Sequence, residues 1–116
     1  MSIVNNSEVQ GEERSPGLWG KRIVTRQTGA TLSSGGDVTL RPGAQIRLHT
    51  HDVEEIIFIH SGNLEITLGD EKRTVGPDHT VIAPAGVVHG FDAKGTTDAR
   101  IITFFPTQEP QTTYVG

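Results

Sequence analysis

The chain has 116 residues, with 14 Gly, 6 Pro and no Cys, and its formal net charge at pH 7 is −4. This length predicts one domain, and the absence of Cys excludes disulfide frameworks, thiolate zinc sites and cysteine nucleophiles. The acidic balance, without any run of Lys or Arg, argues against a nucleic-acid partner.

The first 17 residues are polar, lack periodicity and end in Ser-Pro-Gly. They predict a mobile arm, or an edge strand that pairs with a second copy of the chain. No basic and apolar signal peptide is visible there, and the longest apolar run, Ile56 to Ile59, is far shorter than the roughly 20 residues of a membrane helix. We therefore expect a soluble, cytoplasmic protein with no membrane partner, the alternative being that a signal sequence has been removed.

From residue 18 to residue 116, short β-branched runs alternate with turn residues, and no window has helical apolar spacing. This pattern is typical of an all-β sandwich or barrel. The polar tail after Phe105 contains no predicted strand. The predicted strands are residues 21–25, 30–33, 37–40, 45–50, 54–60, 63–68, 72–75, 80–83, 87–91 and 99–105.

Two histidines and a carboxylate share one side of the chain where its backbone is extended. Side chains alternate between the two faces of an extended strand, so His49, His51 and Glu55 point the same way. Val53, Ile57 and Ile59 share that parity, which makes this face the barrel interior. Because burying imidazoles and a carboxylate among aliphatic side chains is costly unless they are paired or bind a cation, the sequence predicts a divalent metal ion.

A second cluster follows a Pro-Ala-Gly turn, where His89 opens the next predicted strand. A strand that returns antiparallel across the barrel could aim His89 at the same point. Three imidazoles and one carboxylate suit Fe, Mn, Ni, Co, Cu or Zn better than Ca or Mg. We therefore predict one divalent transition metal ion as the cofactor.

These residues match the motifs of a known family, and the chain resembles a small single-domain cupin. The first cupin motif is Gly, five residues, His-x-His, three residues, Glu, six residues, Gly. Its fixed positions are occupied by Gly43, His49, His51, Glu55 and Gly62.

The second cupin motif is matched at Pro84, Gly86 and His89 and departs at two positions. Its opening Gly falls on Asp78, and Asp can replace Gly in a turn if the backbone is not strongly left-handed. Its closing Asn falls on Ala93, and because that Asn is not a ligand, metal binding remains expected.

The resemblance implies a jelly-roll β-barrel of two antiparallel sheets and a metal ion with two adjacent positions open to substrate. Similar small cupins often dimerise by sheet addition, so we expect a homodimer in which Ile3, Val4 and Val9 supply strand pairing. The metal ligands implied by the resemblance are His49, His51, Glu55 and His89.

Two further residues are candidates for the substrate pocket. Arg47 shares the parity of His49 and could bind a carboxylate or enolate oxygen; alternatively it is solvated at the barrel rim. Phe91 shares a strand face with His89 and could line an apolar pocket; alternatively it belongs to the core. We expect three other polar residues to be exposed and outside the ligand set: Glu54, His60 and His79.

A dication with one carboxylate ligand leaves a site charge of +1, which favours enolates, carboxylates and phenolates. The leading hypothesis is a metal-dependent enzyme acting on a small anionic or chelating molecule, either an oxygenase or a redox-neutral lyase or isomerase. The alternatives are a sensor or carrier without turnover and a sugar- or uronate-processing cupin. Family membership does not choose among these, since fold does not fix function.

Overall fold

The computed structural model describes residues 1–116 and is built almost entirely of β-strands, with one 3-10 turn at Asn6–Glu8. It contains no helix of the length and hydropathy that a membrane span requires. The strands are β1 (Glu12–Ser15), β2 (Leu18–Val24), β3 (Ser34–Leu40), β4 (Gln45–His51), β5 (Glu55–Ser61), β6 (Leu64–Leu68), β7 (Glu71–Val75), β8 (Thr80–Ala83), β9 (His89–Asp92), β10 (Ala99–Phe105) and β11 (Thr112–Tyr114).

The strands form two antiparallel sheets that face each other. The six-stranded sheet has the order β1-β2-β3-β10-β5-β8, and the five-stranded sheet has the order β11-β4-β9-β6-β7. The apolar core lies between them, and its fully buried members include Leu40, Ile57, Leu64 and Ile101. The predicted all-β jelly roll is thereby confirmed, and its core follows the period-2 alternation of the strands.

Nine of the ten predicted strands overlap an observed strand, and the prediction at residues 30–33 is wrong. The chain forms a local turn before these residues: Ala30 N–H donates to Thr25 O at 2.8 Å, and Thr25 N–H donates to the Thr28 hydroxyl at 2.8 Å. Threonine hydroxyls thus form local hydrogen bonds with backbone groups, and these replace the hydrogen bonds between strands that a sheet would require. The Gly-rich stretch predicted as a turn instead begins β3, where a Cβ on Gly35 would meet the Thr103 carbonyl oxygen at 2.5 Å.

The first 17 residues include a strand that pairs within the chain. β1 is antiparallel to β2, with Glu12 opposite Gly20 and Glu13 opposite Trp19. Nearer the N-terminus, Lys21 Nζ donates to the Asn6 carbonyl oxygen at 3.1 Å. Pairing of this segment with a second copy and the division of the chain at residue 17 remain predictions.

Four positions of the cupin motifs adopt left-handed backbone: Gly43, Gly62, Asp78 and Gly86. Gly62 has φ of 77°, and a Cβ there would collide with the Asp98 carbonyl oxygen, so glycine is required. Asp78, at the position of a motif glycine, has φ of 66°. The backbone at Asp78 is therefore left-handed, and Asp is accommodated there because its short polar side chain enters this region more readily than most.

Candidate metal centre

Four buried side chains converge inside one end of the barrel. Their exposed fractions are 5% for His49, 8% for His51, 7% for Glu55 and 1% for His89. Each offers one nitrogen or oxygen ligand atom, and these atoms all lie within 4.8 Å of one another. The structure therefore brings together the four residues that the sequence indicated.

The two sheets contribute to this group from opposite sides. His49 on β4 lies opposite His89 on β9 in the five-stranded sheet. β4 ends at His51, and after a three-residue turn Glu55 begins β5 in the six-stranded sheet, where it pairs with Ala83. The expectation that one alternating strand carries both histidines and the glutamate is wrong, because the chain crosses between sheets at residues 52–54.

A β-bulge also interrupts the alternation within β4. The register shifts between Ile46 and His49, so Ile46, opposite Phe91, packs on the core while His49 faces the same interior. Arg47 lies in this irregular stretch, and Tyr114, which pairs with His49, is its neighbour. Arg47 is exposed, and its Cζ lies 4.7 Å from the centre of the Tyr114 ring.

Each of the three imidazoles is oriented by a backbone carbonyl at Nδ1. The Nδ1···O distances are 2.6 Å from His49 to Arg47 O, 3.0 Å from His89 to Val87 O and 3.3 Å from His51 to Gln111 O. A carbonyl oxygen can only accept, so each Nδ1 carries the proton. Each Nε2 lone pair is thereby left free inside the group, as a metal ligand requires.

The ligand atoms of the group are all hydrogen-bond acceptors, and neighbouring atoms among them lie within about hydrogen-bond distance of each other. His49 Nε2 is 3.1 Å from His51 Nε2, and Glu55 Oε1 is 2.8 Å from His89 Nε2 and 3.4 Å from His51 Nε2. Lone pairs and a carboxylate that face one another repel unless a proton or a cation lies among them. Three imidazole nitrogens and one carboxylate oxygen fit a divalent transition ion.

Burial and hydrogen bonding set the protonation of the group. Burial lowers the pKa of His49. Burial raises the pKa of Glu55, but hydrogen bonds with His51 and His89 outweigh it and lower that pKa overall. Burial lowers the pKa of His89, yet its hydrogen bond with Glu55 outweighs this and leaves the pKa raised. Metal binding requires an ionised Glu55 and a neutral His49. At His89, a proton competes with the metal ion for the imidazole nitrogen.

Aromatic side chains pack against two of the histidines. The Phe105 ring packs edge-on against the His51 ring at 4.8 Å between centroids, and the Tyr114 ring lies 5.9 Å from that of His49. Phe91 is buried in the core cluster. Assignment of Arg47 and Phe91 to a substrate pocket remains a prediction.

Three polar residues were predicted to lie outside the ligand set, and other residues beside the group were not predicted. Exposure of the excluded residues Glu54, His60 and His79 is observed as expected. The missed residues are in the tail that was predicted to lack strands: Gln111, Thr112 and Tyr114 all contact the group or Arg47. The β-prone run Thr-Thr-Tyr after Pro110 is the signal that could have indicated them.

The fold and the site together define a small jelly-roll barrel with a candidate centre of three histidines and one glutamate. The family model described as "Cupin domain" matches residues 36–105. The chain therefore belongs to the cupin domain family, and the resemblance drawn from the two motifs is confirmed.

Solved structures extend the likeness over the whole chain. The polyketide cyclase RemF from Streptomyces resistomycificus has a TM-score of 0.87 at 24% identity, covering 100% of this chain and 86% of that one. KdgF from Halomonas sp. has a TM-score of 0.81 at 24% identity, covering 94% and 96%. Oxalate decarboxylase from Bacillus subtilis has a TM-score of 0.83 at 20% identity, and the match covers 99% of this chain but only 32% of that protein. These likenesses show the fold, and a search of curated proteins finds no match.

Proposed function

We propose that this chain is a metal-dependent enzyme that acts on a small anionic or chelating organic molecule, as an oxygenase or as a redox-neutral lyase or isomerase. The observation that carries the proposal is the convergence of three Nε2 lone pairs and one carboxylate, each imidazole being oriented by a carbonyl at Nδ1. The residues that hold the ion are His49, His51, Glu55 and His89. When bound, a divalent ion of Fe, Mn, Ni, Co, Cu or Zn supplies Lewis-acid or electron-transfer chemistry.

The charge of the site supports an anionic substrate. One carboxylate ligand leaves a dication with a net charge of +1, and the exposed guanidinium of Arg47 adds a second positive group at the rim. Arg47 lies over the Tyr114 ring and forms no salt bridge, so its hydrogen-bond donors are available to a carboxylate or enolate. Two structural neighbours are named a polyketide cyclase and an oxalate decarboxylase, and both names refer to small, oxygen-bearing molecules.

Apolar side chains supply the remaining walls of the proposed pocket. The Phe105 ring packs edge-on against one side of the His51 ring. Phe91 follows His89 by two residues on β9, so both side chains face the interior, and we propose that Phe91 forms the floor beneath the ion. Apolar side chains around the site lower the local dielectric constant, which strengthens the electrostatic attraction between the site and a bound anion.

Metal analysis is the first test of this function. Protein purified without an affinity tag should carry about one transition metal ion per chain, and His51→Ala should reduce this to near zero. His60→Ala removes an exposed histidine from β5 and serves as the matched control, with unchanged occupancy. Equal losses in the two variants would reject the ligand assignment.

Turnover then separates the candidate activities. Each reconstituted metal form is incubated in air with diketones, vinylphenols and uronates, and binding, O₂ consumption and products are measured. O₂ uptake supported by Fe(II) but not by Zn(II) would assign an oxygenase, and product without O₂ uptake a lyase or isomerase. Anion binding without product would instead assign a sensor or carrier, and conversion of a sugar or uronate a carbohydrate-processing cupin.

We also propose a cytoplasmic homodimer. Both edges of the six-stranded sheet, β1 and β8, present unpaired backbone groups, and Phe58 and Ile82 are exposed on the outer face beside β8. A second copy that adds to this sheet would cover such groups. Light scattering at tens of micromolar should give twice the chain mass, and a monomer would reject the dimer.

A further inference from the structure

The last strand of the chain lies directly over two of the four grouped residues. β11 pairs antiparallel with β4, placing Thr112 opposite His51 and Tyr114 opposite His49. Both ends of the pairing are tied: Asp52 N–H donates to Gln111 O at 3.3 Å, and Val115 N–H donates to Leu48 O at 3.0 Å. The register of the C-terminal segment, residues 111–116, is thus fixed relative to the histidines.

His51 differs from the other two histidines in what holds its ring. The Nδ1 atoms of His49 and His89 each bond to the carbonyl two residues earlier in the chain. The Nδ1 of His51 instead lies 3.3 Å from Gln111 O and 3.2 Å from Thr112 Oγ1, about sixty positions further along the chain. Both groups that can orient His51 therefore come from the C-terminal segment.

We propose that the C-terminal segment is part of the metal centre, with Gln111 and Thr112 acting as positioning residues for His51. An acceptor at Nδ1 fixes the tautomer and the ring orientation and makes Nε2 a more basic ligand. Without it, the His51 ring must be ordered when the ion binds, which weakens affinity. This inference rests on the proposed function, since it assumes that the four residues hold a metal ion.

Two isosteric variants of the full chain test the role of Thr112. Thr112→Val removes the hydroxyl that contacts His51. Thr113→Val is the matched control, because Thr113 lies opposite Thr50 and points to the other face of β11. Zn(II) affinity is measured by chelator competition. We expect Thr112→Val to weaken it about tenfold, the lower end of the usual effect for such outer partners because Gln111 O remains, and Thr113→Val to leave it unchanged.

A spectroscopic measurement distinguishes positioning from general destabilisation. In the Co(II)-loaded protein, each ligand imidazole gives a paramagnetically shifted, exchangeable Nδ1–H signal in the proton NMR spectrum. Thr112→Val should speed solvent exchange of one of these three signals and leave the other two unchanged. Deleting residues 111–116 removes both acceptors and should weaken Zn(II) binding by about a hundredfold, with thermal unfolding of the metal-free variant verifying that it folds.

The outcomes separate this inference from the proposed function. Wild-type protein that binds no metal would overturn both. Wild-type protein that binds metal, with Thr112→Val matching Thr113→Val in affinity and in all three signals, would overturn the positioning role alone. If the deletion variant fails to fold, the two valine variants decide the question.

Discussion

Two buried carboxylates, one on each side of the barrel wall, are satisfied in different ways. Asp37 on β3 is 6% exposed and receives two hydrogen bonds from the Arg100 guanidinium, at 2.8 and 2.6 Å. Glu55 on β5 is 7% exposed and faces the imidazoles of His51 and His89. The partner of Asp37 is a permanent cation, whereas the partners of Glu55 are neutral or charged according to pH.

The nature of the partner distinguishes a carboxylate in a structural ion pair from a carboxylate in a binding site. A bidentate guanidinium neutralises Asp37 within the chain and leaves no charge to bind elsewhere. Glu55 acquires full neutralisation only from protons on its histidines or from a cation. A buried carboxylate surrounded by imidazoles with free Nε2 atoms therefore indicates binding, and one held by arginine indicates stability.

Exchanging each carboxylate for its amide should give opposite phenotypes. Glu55→Gln removes the anionic ligand, so we expect metal occupancy to fall from about one ion per chain to near zero. Asp37→Asn should retain full occupancy, because Asp37 lies on the outer face of its sheet. Elemental analysis of both variants checks this, and metal retained by Glu55→Gln would remove the distinction between the two carboxylates.

Removing the ion should destabilise the fold, since the ion binds the folded chain only. At a free-ion concentration of about 100 times Kd, the ion adds about 2.7 kcal/mol to the free energy of unfolding. For a domain of this size that is roughly 10 °C in Tm. Thermal unfolding at pH 7 with and without chelator measures the difference; an unchanged Tm after verified metal removal would contradict the coupling.

Acid should reduce the difference in Tm between loaded and chelated protein, because protons compete with the ion for imidazole nitrogens. The pKa of His89 is raised mainly by its bond to Glu55, so in metal-free protein His89 stabilises the fold below about pH 6.5 and loses that contribution as pH rises through the folded pKa. The pKa of His49 is lowered by burial, so its contribution has the opposite sign. We expect the Tm gap between loaded and chelated protein to be largest at pH 7 and to shrink by pH 5.5.

The Asp37 pair should affect stability without affecting metal. Asp37→Asn breaks a charged, bidentate contact with the partly exposed Arg100, and we expect a loss of about 2 kcal/mol in the free energy of unfolding at pH 7. The Arg100 hydrogen bond lowers the pKa of Asp37. That stabilisation is present above about pH 3.9 and is lost as pH falls through the folded pKa, so wild type and variant should converge in acid. Denaturant unfolding at pH 7 and pH 3 measures both differences.

The sequence was sufficient to predict the grouped residues but not how the chain assembles them. Motif spacing indicated Glu55 together with its histidines, because those spacings reflect a fixed strand and turn geometry. Strict alternation failed at two points, the bulge after Ile46 and the crossing between sheets after His51, since neither a bulge nor a sheet change alters the period-2 pattern locally. The contact of His51 with Thr112 joins residues 61 positions apart in the chain, and no local pattern encodes it.

Prediction of the strands was likewise limited by contacts between residues that are distant in the sequence. Strands with alternating apolar residues, such as β5, were predicted within a residue at each end, because burial of one face determines their register. β11 was not predicted, and β1 was indicated only as one alternative for the first 17 residues, because the side chains of both strands are exposed and mostly polar, so only backbone pairing defines them. Gly35 belongs to β3 because its lack of a side chain permits close contact with Thr103. The turn propensity of glycine had instead predicted a turn at this position.

The smallest expected effect concerns the contact between Arg47 and Tyr114 at the rim of the site. An exposed cation–π contact is worth about 0.5–1 kcal/mol, which corresponds to roughly a two- to fivefold change in an equilibrium constant. Tyr114→Leu should free the guanidinium and weaken malonate binding to the Co(II)-loaded protein by that factor. Tyr114→Phe keeps the ring and should bind malonate as wild type does. Calorimetric titration measures the affinities, and equal binding by the Leu and Phe variants would show that the ring does not position Arg47 for anions.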